Sequence, residues 1–82
     1  MRLDDIHAFI DAKRVYERAY RRAFGEHDTE VQVPSVSEFR EAATLTDCSI
    51  KHTLIGDSTA LLKFEYQGVT FWYMGGEEEA EQ

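Results

Sequence analysis

Between Asp4 and Phe24, apolar residues recur at three- and four-residue intervals: Ile6, Phe9, Ile10, Tyr16, Tyr20, Ala23 and Phe24. At 100° per residue they share one broad face, and the pattern predicts a helix over 4–24. Asp4 is placed to cap its start, with Asp5 beside the positive end of the helix dipole. Arg21 and Arg22 fall in the last turn, where cations are favoured, and Gly25 stands where a left-handed C-cap is wanted. Lys13 lies inside the apolar stripe and would have to snorkel. The opposite face carries His7, Asp11, Arg14, Arg18, Arg21 and Arg22.

The pattern then changes period. Thr29-Glu30-Val31-Gln32-Val33 alternates as a short edge strand would, and Pro34 ends it. Ser35-Val36-Ser37-Glu38 fits a capping box and opens a second helix over 36–45, with Val36, Phe39 and Ala43 on its apolar side. Ten residues make a marginal helix alone, so it must dock. From Cys48 the period is two, which predicts strands over 48–55, 59–66 and 69–74, turning at Gly56-Asp57-Ser58 and Gln67-Gly68. Requiring the apolar side chains to share a face sets the register. Tyr66 pairs with Val69, Phe64 with Phe71, Leu62 with Tyr73, Leu54 with Ala60, His52 with Leu62 and Ile50 with Phe64. One face then holds Cys48, Ile50, Leu54, Ala60, Leu62, Phe64, Tyr66, Val69, Phe71 and Tyr73.

The predicted fold is therefore α+β. A long N-terminal helix and a short second helix pack on one face of a three-stranded antiparallel meander, with 29–33 as a candidate fourth edge strand. Residues 1–75 form one domain, and 76–82, rich in glutamate, read as a disordered acidic tail. The other sheet face is mostly polar, as a solvated face should be, apart from a corner of Leu61, Trp72 and Met74. Lys63 comes out opposite Trp72, where a cation–π contact is within reach.

At 82 residues the chain is too short for a nucleotide-binding doubly wound fold or a barrel enzyme. Its single cysteine rules out an internal disulfide, which points to a reducing cytoplasm. Asp4 and Asp5 speak against a signal peptide, and no apolar run reaches membrane-spanning length. The formal net charge is −7. That disfavours non-specific contact with nucleic acid and suits a basic protein partner. The charge is uneven: Lys13, Arg14, Arg18, Arg21 and Arg22 form a basic strip, followed by Glu26, Asp28 and Glu30. Asp11–Arg14 and Glu17–Arg21 have the spacing of ion pairs along a solvated helix face.

Residues able to carry chemistry are scattered. His7 and Asp11 are one helical turn apart, but two ligands are too few for a metal, and no third is evident. His52, on the inner face of its strand, reads as a buried histidine held by a hydrogen bond. Cys48 reads as a small apolar residue. No nucleophile elbow, glycine-rich phosphate loop or paired-carboxylate arrangement is present. The expectation is a non-enzymatic protein with no cofactor. Its partner-binding residues would be Leu61, Lys63, Trp72 and Met74, with Arg14, Arg18, Arg21, Arg22, Glu26, Asp28 and Glu30 as an alternative charged surface. Tryptophan is enriched at binding hot spots, and edge strands of a small open sheet invite self-pairing into a homodimer.

In size, acidity and lack of catalytic groups, the chain resembles the small acidic inhibitors that phages and mobile elements encode, anti-CRISPR proteins and host-polymerase inhibitors among them. The resemblance is one of overall character and assigns no residue a role. It implies a larger host protein as partner, in the host cytoplasm, with clustered carboxylates able to imitate a phosphate pattern. Two other readings stand beside it: a nucleic-acid-binding regulator using the basic face of the first helix, and an antitoxin-like accessory subunit.

Overall fold

In the computed structural model, which describes residues 1–26 and 30–76, helix α1 spans Leu3–Phe24. Its cap is Arg2 rather than Asp4: the Arg2 amide donates to Asp5 Oδ2 at 2.9 Å. Asp4 instead lies within the first turn, still beside the dipole's positive end. The helix closes as its sequence suggests. Gly25, at φ 100°, returns its amide to Arg21 O at 3.1 Å.

Strand β1, Glu30–Gln32, comes next, followed by α2, Val36–Leu45. Ser35 caps α2 by accepting from the Glu38 amide at 3.4 Å. At its other end the Thr46 hydroxyl donates to Ala42 O at 2.8 Å, satisfying a terminal carbonyl from within the core.

Strands β2 (Lys51–Leu54), β3 (Thr59–Tyr66) and β4 (Val69–Gly76) complete the sheet in the order β1-β4-β3-β2. The β2–β3–β4 meander is antiparallel and keeps the register that the apolar pattern demands, with Leu54 opposite Ala60, Leu62 opposite Tyr73 and Phe64 opposite Phe71. β1 adds to the far edge in parallel with β4, Val31 opposite Phe71, so the four-stranded sheet is mixed. This follows from connectivity: α2 lies between β1 and β2 and carries the chain back across the sheet, as parallel neighbours require. β4 runs through Gly75 and Gly76, two residues beyond the predicted end, while β2 starts at Lys51 rather than Cys48. Residues 77–82, expected as an acidic tail, lie outside the described residues.

The β3–β4 turn places Gln67 at φ 52° and Gly68 at φ 79°. Both central residues are left-handed, as a two-residue hairpin loop of this hand requires. Glutamine is a poor occupant of that region, which favours asparagine and glycine. Gln67→Asn is therefore expected to stabilise the fold by about 0.5–1 kcal/mol. A thermal melt should move up by several degrees; an unchanged midpoint would refute the strain argument.

The core lies on one face of the sheet, where Ala60, Leu62, Phe64, Val69, Phe71 and Tyr73 meet Ile6 and Ile10 of α1 and Phe39, Ala42 and Ala43 of α2. Phe39 is fully buried, with its ring 5.1 Å from Phe64 and 6.5 Å from Tyr73. The short helix supplies the largest fully buried side chain, and the long helix supplies the equally buried Ile10.

Much of the predicted apolar face of α1 stays outside this core. Phe9 is 45% exposed, Tyr16 56% and Phe24 78%; Ala23 is exposed and Tyr20 half-buried. Phe9 sits at the edge of the buried stripe, its ring 6.2 Å from Phe71; for the residues near the C-terminal end the reason is length. A helix of 22 residues is about 33 Å long, against about 26 Å for the eight-residue strands beneath it. Beyond Glu17 the helix buries no residue, and Tyr16, Tyr20 and Phe24 contact one another in tilted ring pairs at 6.0 and 5.2 Å.

Lys13 does not snorkel: it pairs with Glu17 Oε1 at 2.8 Å, both side chains about nine-tenths buried. The expected pairs Asp11–Arg14 and Glu17–Arg21 give way to this one, because Glu17 falls on the core-facing side and Arg14 is used elsewhere.

Candidate functional site

The alternation along β3 and β4 sends Leu61, Lys63 and Glu65, and Thr70, Trp72 and Met74, to the face opposite both helices. The register sets Lys63 directly against Trp72 and Leu61 against Met74. β1 adds Gln32 beside Trp72, pinned where the Val33 amide donates to Trp72 O at 2.8 Å. Among the described residues no helix or loop covers this face, and none of these side chains is buried. Met74 is 46% exposed, while Leu61, Lys63 and Trp72 are half-buried by their strand neighbours. The four predicted partner-binding residues therefore form one contiguous patch.

Lys63 behaves differently from the expectation. Its ammonium reaches across β4 to Glu30 Oε1 at 3.5 Å rather than over the Trp72 ring, because β1 brings a carboxylate to the same face. An opposite charge outweighs a ring quadrupole at comparable range. The pair is about 40% exposed on both sides, so it orients more than it stabilises. Glu30 thereby joins the tryptophan patch instead of a separate acidic surface. A shallow basin of about 340 Å³ opens alongside, lined by Glu30, Ser49, Lys51, Lys63, Glu65 and Thr70. The face thus combines an apolar corner with a basin of mixed charge.

The remaining charged candidates are dispersed. Arg14 Nη2 donates to Gln67 O at 2.7 Å and ties α1 to the β3–β4 turn. Arg18, Arg21 and Arg22 are exposed along α1, as is Glu26 just beyond it. Asp28 lies outside the described residues.

Two histidines move from their expected roles, whereas Cys48 packs against the core as expected and adds a polar contact. His7, expected on a solvent face with Asp11, is half-buried: it shares a hydrogen bond of 2.7 Å with Tyr66 Oη and stacks on that ring. It anchors α1 to the end of β3. His52, expected in the core, is exposed along with all of β2, and Leu54 is 57% exposed. β2 is the outermost strand, and neither helix reaches over it. Cys48 is half-buried, its thiol 3.3 Å from Glu65 O, where it fastens the approach to β2 onto β3. Among the described residues no group of three or more His, Cys, Asp or Glu side chains is close enough to hold a metal ion, and no helix is long and apolar enough to cross a membrane.

Sequence reasoning missed one feature. An apolar cleft of about 250 Å³ opens between the start of α1, β1 and α2, with Met1, Ile6, Phe9, Val31, Val33 and Pro34 in its walls. It exists because β1 joins the sheet in parallel at the β4 edge, a placement that three alternating residues do not signal. Compared with protein-family models, with curated proteins and with solved structures, the chain finds no match.

Proposed function

We propose that this chain is a non-enzymatic protein-binding module that acts by occupying a surface on a larger protein. In this reading it works as phage-type inhibitors do, against a host complex that handles nucleic acid, such as a CRISPR effector or a polymerase. The observation that carries the reading is the uncovered sheet face, with Trp72 beside the Leu61–Met74 pair and a rim of Lys63, Glu30 and Glu65. An apolar centre with a charged rim is the anatomy of a protein interface. The net charge of −7 favours a basic partner, and Glu30 and Glu65 beside the patch would meet the cationic side chains that such a partner uses for phosphates.

Trp72 is the single tryptophan, so its emission reports on this face directly. Partner binding is expected to shift that emission to shorter wavelength. Trp72→Ala is expected to weaken capture of the partner by about 2 kcal/mol, roughly thirtyfold, with the circular dichroism spectrum unchanged. Equal capture by a folded Trp72→Ala variant would exclude this face as the interface.

A second reading rests on Arg18, Arg21 and Arg22, which are exposed and make no ion pair among the described residues. Such a strip can track a phosphate backbone. Binding to mixed DNA and RNA at low salt separates the two: affinity that Arg18→Glu abolishes favours a nucleic-acid regulator, and its absence favours the protein-binding module.

A further inference from the structure

α1 buries Ile6, Ile10 and Glu17 against the domain. The side of a helix directly opposite such a stripe is ordinarily the most polar. Here it is apolar: Ala8, Ala12, Val15 and Ala19 follow one another along the outward pole, all exposed, with Val15 at 64%. Phe9 and Tyr16, 45% and 56% exposed, border the pole on one side. A helix apolar on two opposite sides has the pattern of one packed between two layers, and the domain supplies only one of them.

The charges say what the second layer is. Along the other border of the pole run Asp4 and Asp11 in the N-terminal half, then Arg14, Arg18 and Arg22 in the C-terminal half. Asp4, Asp11, Arg18 and Arg22 are exposed and form no ion pair or hydrogen bond among the described residues. A partner lying along this face must present the opposite order of charge. An antiparallel copy of α1 does so. With a two-fold axis near the helix midpoint, the same border of each helix meets itself reversed. Asp4 then comes beside Arg22 of the second copy, and Asp11 within reach of Arg18. The same register sets Ala8 against Ala19 and Ala12 against Val15, small side chains that let two helices approach closely. A parallel two-fold copy would instead set this charged border against the Phe9–Tyr16 border and leave its charges without counter-charges.

We propose that the chain forms a homodimer through the outward face of α1, the two helices antiparallel. This surface lies on the far side of the domain from Trp72, so the dimer leaves both tryptophan patches free.

The test is sedimentation and light scattering of the full chain at about 200 μM and low salt. The expected particle has twice the 9.5 kDa chain mass and dissociates as salt rises. Val15→Asp, at an exposed position that should not disturb folding, is expected to weaken association at least tenfold with an unchanged thermal midpoint. Asp11→Arg and Arg18→Asp are each expected to weaken it, and the double exchange to restore it. In a Cys48→Ser background, Ala8→Cys and Ala19→Cys chains mixed together should cross-link with each other. Chains carrying Ala19→Cys alone should not. A monomer at 200 μM overturns the proposal, as does a dimer that survives Val15→Asp or one that Trp72→Ala disrupts instead. Efficient self-cross-linking of Ala19→Cys overturns it too, since that requires parallel helices. A monomer whose Arg18 binds nucleic acid would assign the charged border to the regulator reading.

Discussion

Phe39→Ala is expected to remove about 3–5 kcal/mol of folding stability, enough to leave the chain largely unfolded at 37 °C. A domain of this size holds only about 4–12 kcal/mol in total. The magnitude follows from position. Phe39 is fully buried, at the point where α2 meets Phe64 of β3 and Tyr73 of β4. Truncating it opens a ring-sized cavity between two layers whose other α2 contributions to the core are small, Ala42 and Ala43. The gap closes only in part, because Ala42 and Ala43 beside it are already packed in the same core. Phe39→Leu keeps most of the volume and is expected to cost under about 1.5 kcal/mol. Phe24→Ala is the control: the same chemical change at a ring 78% exposed should move stability by less than about 0.5 kcal/mol. Urea titrations followed by Trp72 emission and far-ultraviolet circular dichroism measure all three. Comparable losses for Phe24→Ala and Phe39→Ala would mean that the distal half of α1 is packed, against the description above.

These contrasts show which part of the molecule can be read from residue order. The meander register follows from the chain alone, because the turns at Gly56-Asp57-Ser58 and Gln67-Gly68 fix the pairing and alternation then puts Leu62, Phe64, Phe71 and Tyr73 on a common face. Leu61, Lys63, Trp72 and Met74 follow with them, so the candidate patch was legible too. What alternation cannot supply is extent. It marks which side of α1 is apolar but not how far the sheet reaches beneath it, so Tyr16 and Phe24 look like core residues and are not. It marks Leu54 and His52 as inward-facing but cannot show that neither helix reaches over β2. Nor can three residues of β1 declare that they run parallel to β4. That pairing brings Glu30 to Lys63 and creates the apolar cleft. In each case the missing information is the position of one layer over another.

Glu17→Ala is expected to cost about 3–5 kcal/mol, and the double variant Lys13→Met/Glu17→Leu to return stability to the original level or above it. An exposed pair of this spacing on a helix contributes only about 0.3–0.5 kcal/mol. Burial decides between the two scales. The Lys13 and Glu17 side chains are only 10% and 9% exposed, their charges 2.8 Å apart, on the side of α1 that also carries Ile10. Removing the carboxylate leaves an ammonium facing a poorly hydrated surface with no counter-charge, and it must either stay there at high cost or pull α1 away to reach water. Removing both charges avoids that cost and fills the space with apolar atoms. The non-additivity of the cycle is therefore the quantity to measure, from urea midpoints of the four proteins. A coupling below about 1 kcal/mol would mean that water reaches the pair, and that α1 is held instead by contacts such as Ile6, Ile10, Phe9 on Phe71, His7 on Tyr66 and Arg14 on Gln67.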